Sequence, residues 1–326
     1  MSFLSIDQTA LPYSMELCFA GAACELRTNS SELARVLGDL SISTDNAVPS
    51  RFDMRVVVDE SSDEAAGEAH FRGLHHVVTA SFGRSNVFVF DILRRTLNAS
   101  VSAAIARDDR FWKEKLIPIT LGVLGSAMGL VPVHCACLEL GGEGLLIAGA
   151  SGAGKSTLSV ALSKNGFNYV SDDWTYISRL GDGIVAHGTS APVKLLPDAV
   201  EHFQSLQGRG LQKSMNGELA YEVDIADAFG AQVERACEPR WLIFLERTQQ
   251  AGAIFTPMSS TEARSYVSSS VERLPPQLHE AVAMRELTIE GVALLPCWRF
   301  RYGGTPQFAA KELREFVIHR SQEIYV

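Results

Sequence analysis

Residues 145–157, LLIAGASGAGKST, decide the fold of the second half of the chain. Within them, Gly149 to Ser156 match the phosphate-binding pattern GxxxxGK(S/T), between a short apolar run and a helix-forming run. Glycine lets backbone N–H groups approach phosphate oxygens without obstruction, and the N-terminus of the following helix adds a favourable dipole. A nucleoside triphosphate site is therefore predicted, against the alternative of a glycine-rich turn that fits the pattern by chance.

The loop residues have separate predicted roles. Lys155 is expected to reach the β- and γ-phosphates, and Ser156 to offer its hydroxyl to Mg²⁺. The chain has no guanine-reading NKxD motif, which favours adenine over guanine as the base. The predicted nucleotide-binding residues are Gly149, Ser151, Gly152, Ala153, Gly154, Lys155, Ser156 and Thr157.

Two adjacent carboxylates, Asp172 and Asp173, follow the short apolar run NYV after the phosphate-loop helix. We expect them at the carboxyl end of a neighbouring strand, where α/β sheets bind ligands. One carboxylate can help hold magnesium, and the other can accept the proton of an attacking hydroxyl. The residues alone leave open which does which, and an exposed acidic turn or a helix cap is the alternative.

His134 lies in an apolar run predicted to be a strand over residues 133–140. Only the turn GGEG separates this strand from the phosphate-loop strand, so the two are expected to pair as a hairpin. That arrangement could bring the imidazole close to the acidic pair, where it could orient a carboxylate. A satisfied core histidine is the alternative interpretation.

Composition sets the broad class of the protein. A length of 326 residues exceeds the usual limit of one hydrophobic core, so two domains are expected, residues 1–108 and 109–326. The net charge of -9 argues against nucleic acid as a partner. Six scattered cysteines and an opening without a basic or apolar leader indicate reduced thiols in the cytoplasm. Cys135 and Cys137 lack a second ligand pair and are predicted to be buried rather than zinc-bound.

The predicted elements change character along the chain. The first domain has β-like runs and one clear helix, and it serves either as an accessory, substrate-recognition domain or as a plain structural one. The second alternates strand, loop and helix, as an α/β core does. Predicted strands are 15–27, 54–58, 75–82, 86–92, 96–102, 133–140, 145–148, 169–171, 175–179, 184–187, 241–246 and 297–302. Predicted helices are 31–40, 155–165, 197–206, 260–271, 276–286 and 307–318.

The apolar run over residues 116–138 is long enough for a membrane span. Pro132 would break such a helix, His134 would lie inside it, and three glycines weaken it. A buried helix over residues 110–129, followed by a strand from Val133, explains the run more simply. No membrane partner is therefore expected.

Residues 133–177 resemble the catalytic core of bacterial HPr kinase/phosphorylase. The shared features are a histidine on a strand, a turn ending in glycine, a GxSGxGKS loop, and a strand that ends in Asp-Asp. The resemblance implies an ATP-dependent serine kinase whose C-terminal P-loop domain has a mixed sheet like that of phosphoenolpyruvate carboxykinase, preceded by a smaller α+β domain. Family members often form hexamers, so the resemblance makes a homo-oligomer possible, but the sequence does not fix the assembly.

The resemblance assigns roles that the residues leave open. It implies that Asp173 accepts the proton of a seryl hydroxyl, that His134 and Asp172 support it, and that Lys155 binds phosphate. Ser156 and Asp172 would then hold Mg²⁺.

Three departures from the family qualify this assignment. Thr157 replaces an acidic residue, Cys135 replaces a usual glycine, and the Glu-x-Arg-Gly-x-Gly run linked to phosphorylase activity is missing. The chain instead has SAPVKLLPDAV at residues 190–200, in which Lys194 either contacts a phosphate or is solvated. The chain is therefore more similar to the divergent HPr-kinase-related group, which includes kinases that phosphorylate a peptide's terminal serine in lasso-peptide clusters.

Three functions remain open on the sequence. The first is phosphoryl transfer from ATP to a serine of a protein or peptide. The second is a kinase of the same architecture that acts on a small molecule, such as an amino acid or a sugar. The third is a non-catalytic nucleotide-binding regulator, which the unusual Thr157 and Cys135 keep in consideration.

Overall fold

The computed structural model describes residues 11–42, 48, 50–189, 191–213, 218–271 and 273–324, so Ser190 of the loop singled out above lies outside them. The chain divides into two compact units, Met1–Leu130 with Arg273–Arg285, and Val131–Glu272 with Glu286–Val326. The helical run over residues 109–128, which the sequence groups with the second domain, lies in the first unit. The predicted domain boundary after Asp108 stays a prediction.

The first unit contains a seven-stranded sheet in the order β1-β2-β3-β7-β6-β5-β4. The pairs β2/β3 and β3/β7 are parallel and the others antiparallel. The strands are β1 Tyr13–Phe19, β2 Ala22–Thr28, β3 Arg51–Asp59, β4 Ala69–Leu74, β5 Val77–Phe82, β6 Val87–Asp91 and β7 Thr96–Ser102. Short helices cover Ser31–Leu40 and Ala103–Arg107.

The prediction of one strand over residues 15–27 is wrong, because the chain turns back at Ala20 and Gly21. Both residues have positive φ, 48° and 80°, as a tight hairpin turn requires. The predicted helix Ser31–Leu40 is confirmed. It begins after Ser30, whose side chain accepts the Leu33 N–H, and its apolar face is buried.

Residues 109–128, which include the first part of the apolar run that could have suggested a membrane span, form a helical run. It consists of α-helix Asp109–Phe111, π-helix Trp112–Leu116, α-helix Ile117–Leu124 and 3₁₀-helix Gly125–Met128. Trp112 is fully buried, and its indole N–H donates to the Ile105 carbonyl at 2.8 Å. In the described part of the chain, no helix combines the length and the apolar character needed to cross a membrane.

The second unit is built on a nine-stranded mixed sheet in the order β11-β9-β10-β17-β13-β12-β8, with β19 paired to β17 and β18 to β19. A small sheet has the order β14-β16-β15. The strands in chain order are β8 Leu130–Val133, β9 Ala136–Leu140, β10 Glu143–Gly149, β11 Asn168–Ser171, β12 Thr175–Leu180, β13 Gly183–His187, β14 Val193–Leu195, β15 Gln212–Lys213, β16 Leu219–Val223, β17 Ala236–Arg247, β18 Gly252–Pro257 and β19 Cys297–Gly303.

Helices cover both faces of this sheet. They are Lys155–Ser163, Ile225–Phe229, Ser260–Ser269, His279–Ala293 and Pro306–Ile324. Along β10, Leu145 and Ile147 pack into the core with the helices Lys155–Ser163 and Pro306–Ile324, whereas Leu146 and Ala148 pack into the opposite core. This alternation is the period of two expected of a buried strand. The predicted mixed α/β class is confirmed.

Several predicted bounds are corrected. The helix predicted over residues 197–206 consists of two 3₁₀ segments, Pro197–Glu201 and Gln204–Leu206. The helix predicted over residues 276–286 is His279–Ala293. The strands β4, β14, β15, β16 and β18 were not predicted. The strand predicted over residues 133–140 is interrupted at His134, with consequences for the site described below.

Candidate active site

The phosphate loop connects the end of β10 to the helix Lys155–Ser163. Gly154 has φ of +93°, a left-handed conformation that favours glycine. A Cβ at Gly149 would lie 2.8 Å from the Leu245 carbonyl oxygen of β17, so the close approach of the two strands also requires glycine. The loop therefore has the strand, turn and helix arrangement that the sequence predicts.

Lys155 is only 8% exposed. Its ammonium group donates to the Gly149 and Ala150 carbonyls, at 3.0 and 3.3 Å. Burial lowers its pKa, while the charges of Asp172 and Asp173 oppose that shift. The side chain thus lies inside its own loop, with both acidic residues close enough to favour its charged form.

The sheet order brings the acidic pair to the edge that carries the phosphate loop. Strand β9 pairs antiparallel with both β10 and β11, which makes β10 and β11 parallel to each other. Their carboxyl ends therefore lie at the same edge. Asp172 and Asp173 directly follow β11, and the predicted hairpin between β9 and β10 is confirmed.

Asp172 lies close to Ser156, whose hydroxyl stabilises the charged form of the carboxylate. Burial and, to a smaller extent, the neighbouring Asp173 charge together raise the pKa of Asp172 to about 6, although the Ser156 hydroxyl opposes the rise. Its Oδ1 atom is buried and has no hydrogen-bond partner among the described residues. An unsatisfied carboxylate oxygen beside a hydroxyl is a donor set that a hard cation such as Mg²⁺ accepts.

Asp173 contacts His134. The imidazole Nε2 lies 2.9 Å from Asp173 Oδ1, and the two side chains are 34% and 55% exposed. The hydrogen bond from His134 lowers the pKa of Asp173, and the charges of His134, Lys194 and Lys155 lower it further. Asp173 has φ of +67°, which is uncommon for a residue with a side chain and is typical of strained functional sites.

His134 lies in a break between β8 and β9 rather than within one strand, so the predicted continuous strand is wrong. The break has a topological cause. Strand β8 pairs with β12 at one end of the sheet, whereas β9 pairs with β10 and β11 towards the other, so the chain must change its position at His134. The Cys135 N–H donates to the Val133 carbonyl at 2.9 Å and tightens this bend.

Three residues that the sequence did not single out hold the His134 and Asp173 segments together. The Thr175 hydroxyl lies 2.8 Å from the Cys135 carbonyl and 2.6 Å from the Ser171 hydroxyl, and both side chains are buried. The Trp174 and His134 rings lie 5.6 Å apart at 34°. The sequence SDDWT contains the signal, but serine and threonine are too common beside aspartate to identify such a network in advance.

The remaining predicted residues lie as follows. Ser151 is exposed, Ala153 and Thr157 are half-buried, and all three belong to the loop or the first helical turn. Cys135 and Cys137 are fully buried in one core, as predicted. Over the described ranges, no group of three or more His, Cys, Asp and Glu side chains could hold a metal.

Comparisons with known proteins find relatives of this chain in sequence. No protein-family model matches the chain. The HPr kinase/phosphorylase of Lachnoclostridium phytofermentans is 31% identical over 102 residues, which cover 31% of this chain and 27% of that protein. The HPr kinase/phosphorylase of Exiguobacterium sibiricum is 32% identical over 104 residues, 32% of this chain and 28% of that protein. That of an Exiguobacterium species is 26% identical over 163 residues, 50% of this chain and 43% of that protein.

The chain thus matches less than half of the length of each of these three relatives. A solved structure of the Hpr(Ser) kinase/phosphatase from Coxiella burnetii covers 60% of this chain and 94% of its own, with 14% identity and a TM-score of 0.33. The predicted resemblance to an HPr-kinase-like family is confirmed by the relatives in sequence.

Proposed function

We propose that this HPr-kinase-like chain transfers the γ-phosphate of ATP to the serine hydroxyl of a protein or peptide. The observation that carries the proposal is the position of Asp173, which lies at the sheet edge of the phosphate loop and is held by His134 at 2.9 Å. A phosphate loop alone is compatible with any nucleotide-binding role. An accessible carboxylate next to it supports transfer to an incoming hydroxyl.

In the proposed reaction the loop binds the triphosphate. The N–H groups of residues 150–155 and the N-terminus of the helix Lys155–Ser163 supply dipoles for the phosphate oxygens. Lys155 would exchange its bonds to the Gly149 and Ala150 carbonyls for bonds to the phosphates. Its buried position makes that charge more effective than a solvated lysine would be.

Asp172 and Ser156 are the residues that fit a magnesium ion. The unpartnered Oδ1 of Asp172 and the adjacent Ser156 hydroxyl supply the oxygen ligands. When bound there, Mg²⁺ would neutralise charge on the β- and γ-phosphates. Asp172 is then retained for the metal, which leaves Asp173 as the carboxylate that faces the acceptor.

Asp173 would accept the proton of the acceptor hydroxyl. As the hydroxyl oxygen bonds to the γ-phosphorus, its proton passes to the Asp173 carboxylate, the bond from that phosphorus to the β-phosphate oxygen breaks, and ADP leaves. The lowered pKa of Asp173 makes it a weak base, but phosphoryl transfer depends more on positioning than on base strength. His134 contributes by holding the carboxylate in one orientation.

The test is a transfer assay with γ-labelled ATP and a cell extract, followed by separation of the proteins, peptides and small molecules. The native chain is expected to label serine in a protein or peptide, and Asp173→Ala is expected to give no labelled product. The affinity of Asp173→Ala for ATP should stay within about twofold of the native value, because a group that acts only in the transition state leaves substrate binding intact. Lys155→Ala should weaken both binding and transfer.

Asp182→Ala is the matched control, because Asp182 is exposed in the turn between β12 and β13. Full transfer by Asp173→Ala would remove the proposed base. If label appears only in the small molecules, the acceptor is a metabolite rather than a protein or peptide.

A further inference from the structure

Two more strands end at the edge that carries the phosphate loop. Strand β17 is parallel to β10, with Leu245 opposite Gly149. Strand β19 is parallel to β17, with Tyr302 opposite Arg247. The last residues of β17 and β19 therefore lie next to the loop, in the part of a parallel sheet where ligands bind.

The side chains at these two strand ends alternate between the faces of the sheet. Leu245 and Tyr302 belong to the core that contains Leu158 of the phosphate-loop helix, whereas Phe244 belongs to the opposite core. Residues directly opposite in register share a face, so Arg247 lies on the same face as Tyr302.

The adjacent pair lies on the other face. Glu246 and Arg301 are opposite each other in register, and their side chains form an ion pair at 3.2 Å. The chain therefore offers two arginines near one edge, of which Arg301 has a carboxylate partner. Arg247 is exposed and has no ion pair or hydrogen bond through its side chain within the described parts of the chain.

The Tyr302 hydroxyl is directed at the loop. The residue is 2% exposed and its ring stacks on Phe300, with centroids 5.5 Å apart and an interplanar angle of 22°. Its hydroxyl lies 3.0 Å from the position that a Cβ of Gly154 would occupy. No hydrogen bond joins this hydroxyl to another described residue, so it can donate to a group bound beside the loop.

We propose that Arg247 and Tyr302 contact the phosphates of the bound nucleoside triphosphate and extend the site beyond Lys155. The inference rests on the proposed function, because it assumes a triphosphate in the loop. Arg247 and Tyr302 lie on one face of the sheet, and the Tyr302 hydroxyl lies beside the last loop glycine. A guanidinium and a hydroxyl without described partners are donors of the kind that bind a polyphosphate. Packing of Tyr302 against Gly154 alone would account for the ring but for neither polar group.

The test compares Arg247→Met and Tyr302→Phe with the native chain in their affinity for ATP and for inorganic tripolyphosphate, measured by calorimetry. Each variant should lose about tenfold affinity for both ligands, since a hydrogen bond to a charged group contributes about one such factor. Arg247→Lys should restore part of the loss because it keeps the charge. Arg301→Met is the matched control and should bind both ligands like the native chain, because its guanidinium is on the opposite face.

The outcomes separate the inference from the proposed function. A native chain that binds neither ligand contradicts the proposed function itself. The inference is overturned if both variants bind the two ligands with native affinity. It is also overturned if the variants lose affinity for ATP but not for tripolyphosphate, because Arg247 and Tyr302 would then contact the nucleoside rather than the phosphates. An equal loss in Arg301→Met also overturns it, because net charge would then explain the effect. Thermal unfolding of Tyr302→Phe shows whether a loss reflects damage to the core, and Arg247→Met, at an exposed position, gives an independent answer.

Discussion

The imidazole of His134 lies 2.9 Å from the carboxylate of Asp173, although the two residues belong to different strand connections. Each residue is held by its own backbone feature, the bend at Cys135 and the positive φ of Asp173. Backbone strain persists only where the surrounding structure compensates for it. The contact between His134 and Asp173 is therefore held by the fold and is not a chance approach of two side chains.

Replacement of His134 by Ala should lower kcat by about 100-fold, because a small misplacement of a reacting group costs about this factor. The KM for ATP should stay the same, since His134 does not contact the phosphate loop in any described bond. Steady-state kinetics with γ-labelled ATP and the acceptor that becomes labelled in the transfer assay measures both constants. His70→Asn, at an exposed position in β4, is the control. A fall in ATP affinity without a fall in kcat would contradict the orienting role.

The phosphate loop could be predicted from the sequence because its information is local. Glycines, a lysine and a hydroxyl residue at fixed spacing, with apolar residues before and helix formers after them, are sufficient to define strand, turn and helix. The hairpin of β9 and β10 was predictable for the same reason, since its turn is short and rich in glycine.

The environment of His134 was only partly predictable. Its approach to the acidic pair follows from strand order, but the break at His134 follows from β8 pairing with β12, which the local pattern does not contain. The positions of Arg247 and Tyr302 are also set by the order of parallel strands. Pairing between distant strands is a tertiary property, and hydrophobic alternation cannot specify which strands become neighbours.

Removal of the Thr175 hydroxyl tests the network that joins the two connections. Thr175→Val keeps the shape of the side chain but removes its bonds to the Cys135 carbonyl and the Ser171 hydroxyl. The free energy of unfolding should fall by about 1–3 kcal/mol, the cost of leaving a buried polar group without its partner. Urea denaturation measures the change. Thr79→Val is the control, because its hydroxyl makes only a solvent-exposed bond to the Arg72 carbonyl, and it should change the free energy of unfolding by less than about 0.5 kcal/mol.

A double-mutant cycle distinguishes a network from separate contacts. If Ser171 and Thr175 act together, Ser171→Ala in the Thr175→Val background should cost less than it does alone. Costs that simply add would show that the two hydroxyls stabilise the segment independently.

His187 should make stability depend on pH. It is completely buried on β13, where Nε2 lies 2.9 Å from the Ser178 hydroxyl and Nδ1 has no partner among the described residues. Burial lowers its pKa from 6.5 to about 4. Below pH 6.5 the unfolded chain takes up a proton that the folded protein does not, so the free energy of unfolding should fall between pH 6.5 and 4 by at most about 3 kcal/mol.

The measurement is denaturant unfolding from pH 7.5 to 4.5 for the native chain, His187→Gln and His70→Gln. The difference between the native chain and His187→Gln should change over the acid range, while His70→Gln should follow the native curve because His70 is exposed. Parallel curves for the native chain and His187→Gln would show that His187 makes no contribution to the pH dependence.

Gly144 on β10 should not tolerate a side chain. A Cβ there would lie 2.7 Å from Cys237 Sγ and 2.8 Å from the Glu238 carbonyl oxygen. The absence of a side chain also lets Cys137 and Cys237 approach to 3.4 Å between their sulfurs, although they belong to β9 and β17 on either side of β10. Gly144→Ala should therefore lower the free energy of unfolding by about 1–3 kcal/mol, as overpacking in a core usually does.

Gly183→Ala is the matched control, because a Cβ at the first position of β13 would meet its nearest neighbour at an ordinary 3.6 Å. Guanidinium denaturation of both variants gives the comparison. In Gly144→Ala/Cys237→Ala the sulfur is gone but the Glu238 carbonyl remains, so the double variant should recover only part of the loss. If Gly144→Ala and Gly183→Ala are equally stable, β17 moves away from β10 at little cost. The close approach of these two strands would then not explain why residue 144 is a glycine.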